Sequence, residues 1–196
     1  MNNLKNFFTS YVGDILSVVQ EYDQKKLENI YSEIEKVILS NKKIFVCGNG
    51  GSAATANHFI CDYLKLIKTN TNLKPRIISL SNNIETITAI SNDIDFSEIF
   101  VHQAESLYEK GDIFILLSVS GNSKNVVKLA SWCKRKKIKC INLVGFNGGK
   151  LKKLSKLTLV SNINNYGKVE DCNHIFMHAV MQFLINKHKT KKKIRI

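Results

Sequence analysis

The sequence has few of the features that mark membrane-spanning, secreted or multidomain proteins. Its longest clean apolar run, Ile113–Leu117, falls well short of the ~20 residues that a membrane span requires. Asp14 interrupts the apolar N-terminal stretch, which carries no small-residue cleavage site, so we expect no signal peptide. There is one proline, Pro75, with no repeat and no Gly/Ser linker. The five cysteines have no paired spacing, which predicts reduced thiols and a cytoplasmic location: Cys47, Cys61, Cys133, Cys140 and Cys172.

What is present fits one globular domain. The chain has 196 residues, with 44% hydrophobic and 23% charged side chains, a mix that excludes intrinsic disorder. We therefore expect a single domain over residues 1–196, with N-terminal helices within 1–40 that pack on the domain or on a partner subunit, and a basic tail at 187–196.

The charge is strongly positive. Lysine and arginine number 29 against 16 acidic residues, a net charge of +13, and six of the positive charges lie in residues 187–196. No aromatic side chains interleave with that tail, so base stacking is not indicated. Solvated helical faces and a frayed tail account for the charge better than a nucleic-acid surface. A positive field would also attract anionic substrates such as sugar phosphates.

The hydrophobic pattern predicts an α/β fold. Apolar residues recur at helical spacing in two stretches up to about residue 40. Short apolar strands then alternate with helices, which predicts a five-stranded parallel sheet in a three-layer α-β-α fold of the doubly wound, flavodoxin-like type. The predicted strands are Lys43–Cys47, Arg76–Leu80, Ile113–Leu117, Ile138–Val144 and Leu157–Val160, with helices over about 52–67, up to about 136, and 169–188.

Two loops after predicted strands carry binding chemistry. The first runs from Cys47 to Ser52 and includes Asn49, Gly50 and Gly51; its glycines allow close approach of a ligand to a helix start. It matches neither the dinucleotide fingerprint nor the Walker loop, and a tight strand–helix turn is the alternative. The second loop, 118–123, brings the hydroxyls of Ser118, Ser120 and Ser123 together with helix N–H groups, and Val119 lies among them. This predicts an uncharged cradle for a phosphate. A simple N-cap is the alternative, but one serine would be enough for it.

Acids and imidazoles share the faces of two predicted helices. His58 and Asp62 are four residues apart, and Glu170, His174 and His178 follow at successive steps of four. Facing one another, such groups could shuttle protons or hold a Zn²⁺-like ion. Taken singly, each histidine is more typical of a core or an interface.

These motifs resemble the sugar isomerase (SIS) family, and within it the phosphoheptose isomerases. The resemblance covers GNGGSAATANHFICDYLK (48–65), the Asn92–Asp93 pair, SVSGNS (118–123), LVGFNGGKL (143–151) and YGKVED…H (166–178). It implies a homotetramer with active sites between subunits and one zinc per subunit. It also implies conversion of sedoheptulose 7-phosphate to D-glycero-D-manno-heptose 7-phosphate through an enediol, in heptose biosynthesis for lipopolysaccharide or capsule.

The resemblance also assigns roles to residues. The serines would bind phosphate, Asn49 to Ser52 would contact the sugar, and Asn92 and Asp93 would line the substrate. The metal ligands would be His58, Asp62, Glu170 and His178, with Asp62, Glu170 and His178 as the catalytic groups and either carboxylate as the base. Asp62 replaces the family's Glu, Glu170 replaces its Gln, and His174 matches no family role, so we interpret it as an interface residue or a support of the ligands.

Two other functions remain open from the sequence. Some relatives are non-catalytic SIS modules that bind a replication initiator protein or sense sugar phosphates as regulators. Another possibility is an isomerase of a different phosphosugar. The group of acids and imidazoles favours an enzyme, because a binding module does not need it.

Overall fold

The computed structural model describes residues 3–190. Residues 191–196, most of the predicted basic tail, lie outside the described residues, as do residues 1 and 2. The last helix continues to His188, as predicted, and both Lys187 and His188 pair with Glu35.

Two N-terminal helices precede the sheet, as predicted. Helix α1 spans Leu4–Gln20 and α2 spans Gln24–Leu39. The Asp23 carboxylate caps α2 by accepting a 2.6 Å hydrogen bond from the Lys26 amide, which satisfies one unpaired donor of the first turn. A run of four buried apolar residues joins α2 to the main core: Ile30, Ile34, Val37 and Ile38. Helix α1 packs more lightly, through Ile15 and Val18 beside Cys172.

Five parallel strands form one sheet in the order β2-β1-β3-β4-β5. The strands are β1 (Lys43–Cys47), β2 (Arg76–Ser79), β3 (Ile113–Ser118), β4 (Cys140–Gly145) and β5 (Leu157–Ser161). This order confirms the doubly wound, flavodoxin-like prediction. Five boundaries differ from prediction: the ends of β2, β3, β4 and β5 by one residue each, and the start of β4, at Cys140 rather than Ile138, by two.

Helices cover both faces of the sheet. They are α3 (Gly51–Asp62, continued by a π-helical turn at Tyr63–Ile67), α4 (Ile84–Asp93), α5 (Ile99–Leu107), α6 (Lys124–Lys136) and α7 (Tyr166–His188). One apolar cluster joins α2, α3 and α7 to one face, and a second joins α4, α5 and α6 to the other, which gives the predicted three layers. Helices α4 and α5 occupy a stretch for which no element was predicted.

All five cysteines carry free thiols, and Cys61 alone among them is exposed. Over residues 3–190, no helix combines the length and the apolar character needed to cross a membrane.

Candidate active site

A cavity of about 280 Å³ opens at the carboxyl ends of β1 and β3. These neighbouring strands are where the strand order reverses, the position at which open α/β sheets bind ligands. Its lining includes every residue of the two predicted binding loops that the sequence singled out: Asn49, Gly50, Gly51, Ser52, Ser118, Val119, Ser120 and Ser123. Leu117, Tyr166 and Glu170 complete it.

The glycine loop is fixed by a buried amide. The side chains of Asn49 and Asn125 exchange two hydrogen bonds of 2.9 Å, and Asn125 is fully buried at the start of α6. Gly50 has φ +53°, which favours glycine at the turn into α3. A methyl group on Gly51 would lie 2.2 Å from Oε1 of Glu170, so this carboxylate packs directly on the first turn of α3.

The serine loop forms the other wall. The Ser118 hydroxyl donates to Ser123 Oγ at 3.0 Å, and Ser120 Oγ accepts from the Asn122 amide at 3.2 Å. Ser123 stands at the N-cap of α6, where backbone N–H groups are unpaired within the helix. Hydroxyls and amide donors of this loop therefore converge with no charged side chain of the loop among them, an arrangement suited to a phosphoryl group, while Glu170 lines the cavity from α7.

The predicted acid–imidazole cluster forms between α3 and α7. Nε2 of His58 lies 3.0 Å from Nε2 of His178, and Oδ2 of Asp62 lies 3.3 Å from the first and 3.1 Å from the second. The two histidine side chains are about half exposed (48% and 45%), while Asp62 is 19% exposed. The cluster is thus open to a ligand while its carboxylate is held within the protein.

This cluster fits a tetrahedral metal ion. Nitrogen and oxygen ligands about 2.0–2.1 Å from Zn²⁺ stand about 3.3 Å from one another. The three donor atoms here already lie 3.0 to 3.3 Å apart, and two imidazoles with one carboxylate are a donor set typical of zinc.

Glu170 does not join the three ligands. It precedes His178 by eight residues, about 12 Å along a helix, and its carboxylate lies instead against Gly51. Helices α3 and α7 lie side by side, so Gly51 meets Glu170 at one level and His58 meets His178 two turns further along. The structure therefore divides the four predicted ligands between the cavity wall and the cluster.

The Asn92–Asp93 pair lies outside the cavity of this chain. Both side chains are exposed at the end of α4, where the Asn92 amide donates to Asp93 Oδ1 at 2.8 Å. Helix α4 begins shortly after β2 and is ten residues long, about 15 Å. Asn92 and Asp93 are at its far end, so they lie about that distance from the turn that follows β2. Within one chain, the expectation that this pair lines the cavity is not met.

Sequence reasoning did not assign Leu117 or Tyr166 to the site. Tyr166 belongs to the motif at 166–178. It is the first residue of α7, directly after the N-cap Asn165, and a helix start that follows a strand was the sequence signal that could have assigned it to the site. The prediction began this helix at residue 169, three residues too late, and therefore left Tyr166 outside the helix start.

Comparison with known proteins agrees with the fold and the motifs. The SIS domain family matches residues 7–145. The phosphoheptose isomerase of Aliarcobacter butzleri is 34% identical, covering 88% of this chain and 91% of that protein, and the one from Helicobacter pylori strain 26695 is 35% identical, covering 86% and 91%. The structure of a phosphoheptose isomerase from Francisella tularensis matches with a TM-score of 0.85 at 23% identity, covering 93% of this chain and 96% of that one. The chain therefore belongs to the SIS domain family and, within it, to the phosphoheptose isomerases.

Proposed function

We propose that this chain isomerises sedoheptulose 7-phosphate to D-glycero-D-manno-heptose 7-phosphate through an enediol. The observation that carries the proposal is the pairing of an uncharged hydroxyl cradle with a cluster of His58, Asp62 and His178 on neighbouring helices. The relatives named as phosphoheptose isomerases support this choice of sugar.

The cradle anchors one end of the substrate. Ser118, Ser120 and Ser123 bind the phosphate with the Val119 backbone beside them, and Asn49 to Ser52 hold the sugar hydroxyls. Holding the phosphate fixes where the carbonyl end lies and removes much of the entropic cost of reaching the transition state.

The acid and base roles fall to groups at the two levels of α3 and α7. Asp62 or Glu170 removes the proton from the carbon beside the carbonyl, and His178 delivers a proton on the oxygen side. Glu170, in the wall of the cavity, is placed to act on bound sugar, whereas Asp62 is committed to the two imidazoles. Since His178 and the proposed zinc lie about two helical turns from Glu170, the base must be the carboxylate that reaches the same carbonyl group as they do, and comparing kcat of Glu170→Gln with that of Asp62→Asn decides between the two.

We also propose one zinc ion per subunit, held by His58, Asp62 and His178. When bound, zinc would polarise the substrate carbonyl and stabilise developing negative charge. The protein's contribution is the near-tetrahedral spacing of the three donor atoms and their access to solvent.

The functional unit that we propose is a cytoplasmic homotetramer made from the single domain over residues 1–196, with active sites between subunits. Helix α1 supports this, because it exposes an apolar stripe that this chain does not cover: Leu4, Phe7, Phe8, Val12 and Leu16. In such an assembly the exposed Asn92 and Asp93 would line the site of a neighbouring subunit.

The decisive experiment is turnover of purified protein on heptose, hexose and pentose phosphates, with and without a chelator. We expect conversion of sedoheptulose 7-phosphate, and losses of about 100-fold or more in kcat for Asp62→Asn and His178→Ala with the fold retained. His102→Ala, an exposed histidine on α5, is the matched control and keeps the wild-type rate. Near-normal rates in both site variants contradict the proposal, and sugar-phosphate binding without turnover in the wild type indicates a regulator instead.

A further inference from the structure

A second cavity, of about 400 Å³, opens at the edge of the sheet opposite the proposed active site. It lies at the amino ends of β1 and β3, the two strands whose carboxyl ends carry the serine and glycine loops. These strands are five and six residues long, so about 15–20 Å of strand separates the two cavities. The proposed mechanism uses no residue of this second cavity.

The wall of this cavity is strongly basic. Lysines from four separate segments of the chain converge on it, namely the last turn of α2, the loop before β1, the loop before β3 and the turn between α6 and β4. The five are Lys36, Lys42, Lys110, Lys137 and Lys139. Convergence from distant segments distinguishes this cavity from the solvated face of a single charged helix.

The two carboxylates in the wall are already engaged. Glu33 pairs with Lys139. Asp112 is buried, and its two oxygens accept hydrogen bonds from the backbone amides of Lys43 at 2.8 Å and Glu109 at 2.9 Å. Asp112 thus holds the backbone at the starts of β1 and β3 and does not neutralise the lysines of the wall.

The other lysines of the wall have no acidic partner. Within residues 3–190, no ion pair is formed by Lys36, Lys42, Lys110 or Lys137. The stem of Lys42 crosses Gly111, where an added methyl group would lie 3.2 Å from Lys42 Cε. Like charges gathered around a concavity repel one another, and an anion bound among them relieves that repulsion.

Helix dipoles account for only part of this charge. Lys36 lies in the last turn of α2 and Lys137 is the C-cap of α6, where the negative ends of the dipoles favour a cation. Lys42 and Lys110 belong to loops and have no such partner. These two lysines therefore carry the argument for a bound anion.

An aromatic wall borders the lysines. Tyr108 lines this cavity and also a neighbouring one of about 390 Å³, whose wall includes Trp132. The two rings meet edge to face with their centres 5.8 Å apart, and Trp132 is the only tryptophan of the chain. Ammonium groups beside an aromatic wall match a nucleoside polyphosphate, and Trp132 provides a fluorescent reporter next to the cavity.

We propose that this cavity binds a chain of two or more phosphoryl groups, as found in nucleoside triphosphates and inorganic polyphosphates. Lysine binds phosphate as a flexible point charge, and a single phosphoryl group would neutralise fewer charges than the wall presents. Lys42 and Lys110 are the principal ligands. The site is separate from the proposed active site, so this inference does not depend on the proposed activity.

The test is titration of metal-free full-length protein with inorganic tripolyphosphate and with ATP, followed by Trp132 fluorescence and by calorimetry. We expect saturable binding of both and much weaker binding of inorganic phosphate. Lys42→Gln/Lys110→Gln should weaken tripolyphosphate binding by at least about 10-fold. The matched control Lys25→Gln/Lys65→Gln removes the same charge from exposed positions elsewhere, and it should bind like the wild type. Ser120→Ala, a change in the phosphate cradle, should also leave this binding unchanged.

Three outcomes overturn the inference. Wild-type affinity in Lys42→Gln/Lys110→Gln, or no binding by the wild type, would leave these lysines as solvated surface charges. Equal losses in both double variants would mean that the overall positive charge attracts the anion, and a loss in Ser120→Ala would place the binding in the proposed active site. Tighter binding of ATP than of tripolyphosphate supports a nucleotide ligand, whereas equal affinities support recognition of the phosphate chain alone.

Discussion

At the scale of single residues, the contact between Gly51 and Glu170 links the proposed sugar-binding loop to one of the two carboxylates proposed as the base. The glycine has no side chain, and the Glu170 carboxylate occupies the space where one would be. The first turn of α3 thereby holds the carboxylate at the cavity wall, where a sugar hydroxyl or a C–H bond can meet it.

Replacing Gly51 by alanine is therefore expected to lower turnover sharply without unfolding the protein. The new methyl group would lie 2.2 Å from Oε1, and the flexible glutamate side chain would swing away rather than the backbone. We expect kcat for sedoheptulose 7-phosphate to fall by about 100-fold, the loss of one positioned acid–base group, while circular dichroism stays that of the wild type.

The control is Gly13→Ala on α1, where nothing lies within 4 Å of the added methyl group. It is expected to keep full activity and to gain about 0.5–1 kcal/mol of stability from the better helix former. Wild-type turnover in Gly51→Ala would show that the placement of Glu170 does not matter.

Residue types and spacing predicted much of this site, and three-dimensional packing decided the rest. Steps of four residues placed His58 with Asp62 on one face of α3, and aligned Glu170, His174 and His178 on one face of α7, because helical periodicity is a local property. Spacing on α7 alone could not tell which residues of the stripe meet Gly51 and which meet His58. That depends on how far α3 and α7 slide along each other, which is set by the packing of the two helices on the sheet.

At the scale of elements, one carboxylate joins α2 to the end of α7. Glu35 accepts hydrogen bonds from Lys187 Nζ at 2.8 Å, His188 Nε2 at 2.7 Å and the Tyr31 hydroxyl at 2.7 Å. Its side chain is 14% exposed. Burial opposes ionisation of Glu35, but the bonds from Lys187, His188 and Tyr31 outweigh burial and lower its pKa from the ordinary 4.5 to about 2.

The sign of this shift predicts an acid-dependent loss of stability. A carboxyl whose pKa is lower in the folded than in the unfolded chain stabilises the fold above the unfolded value, and the contribution disappears as pH falls from about 4.5 towards 2. We expect Glu35→Gln to unfold at lower urea concentration than the wild type at pH 7, with the gap narrowing by pH 3. Glu105→Gln, an exposed carboxyl on α5, should show no gap at either pH. If the difference in urea midpoint between the wild type and Glu35→Gln is the same at pH 7 and pH 3, ionisation of Glu35 does not contribute to the loss of stability in acid.

Elements with a clear hydrophobic pattern, such as a continuous apolar run, were predictable from the sequence. Helices with few buried apolar residues were not. Strands β1, β3 and β4 stand out because each is buried over its whole length and reads as a short apolar run between polar segments. Helices α4 and α5 were missed. Helix α4 buries only Ile90, so its apolar stripe is too narrow to indicate a helix. The π-helical turn that ends α3 has no sequence signal separate from that of the helix itself.

At the scale of the whole molecule, α1 differs from the other helices in what it leaves uncovered. Its buried side carries Ile15 and Val18, while Leu4, Phe7 and Phe8 are 80%, 61% and 65% exposed. Apolar surface costs about 25 cal/mol per Å² when it faces water, so a row of such side chains is stabilised by covering it with a second copy. This is the surface through which we expect subunits to associate.

The double variant Phe7→Ser/Phe8→Ser is therefore expected to dissociate the proposed tetramer. Size-exclusion chromatography with light scattering should show a mass below that of four 22.2 kDa subunits, while the variant keeps its secondary structure because neither ring belongs to the apolar core of the chain. Turnover should fall with the mass, since Asn92 and Asp93 would lose their place in a neighbouring site. Asn6→Ser, a polar change at an exposed position of the same helix, is expected to alter neither. A double variant with wild-type mass and activity would show that the apolar stripe of α1 does not hold the assembly together, whereas lower mass with full turnover would show that each subunit contains a complete site.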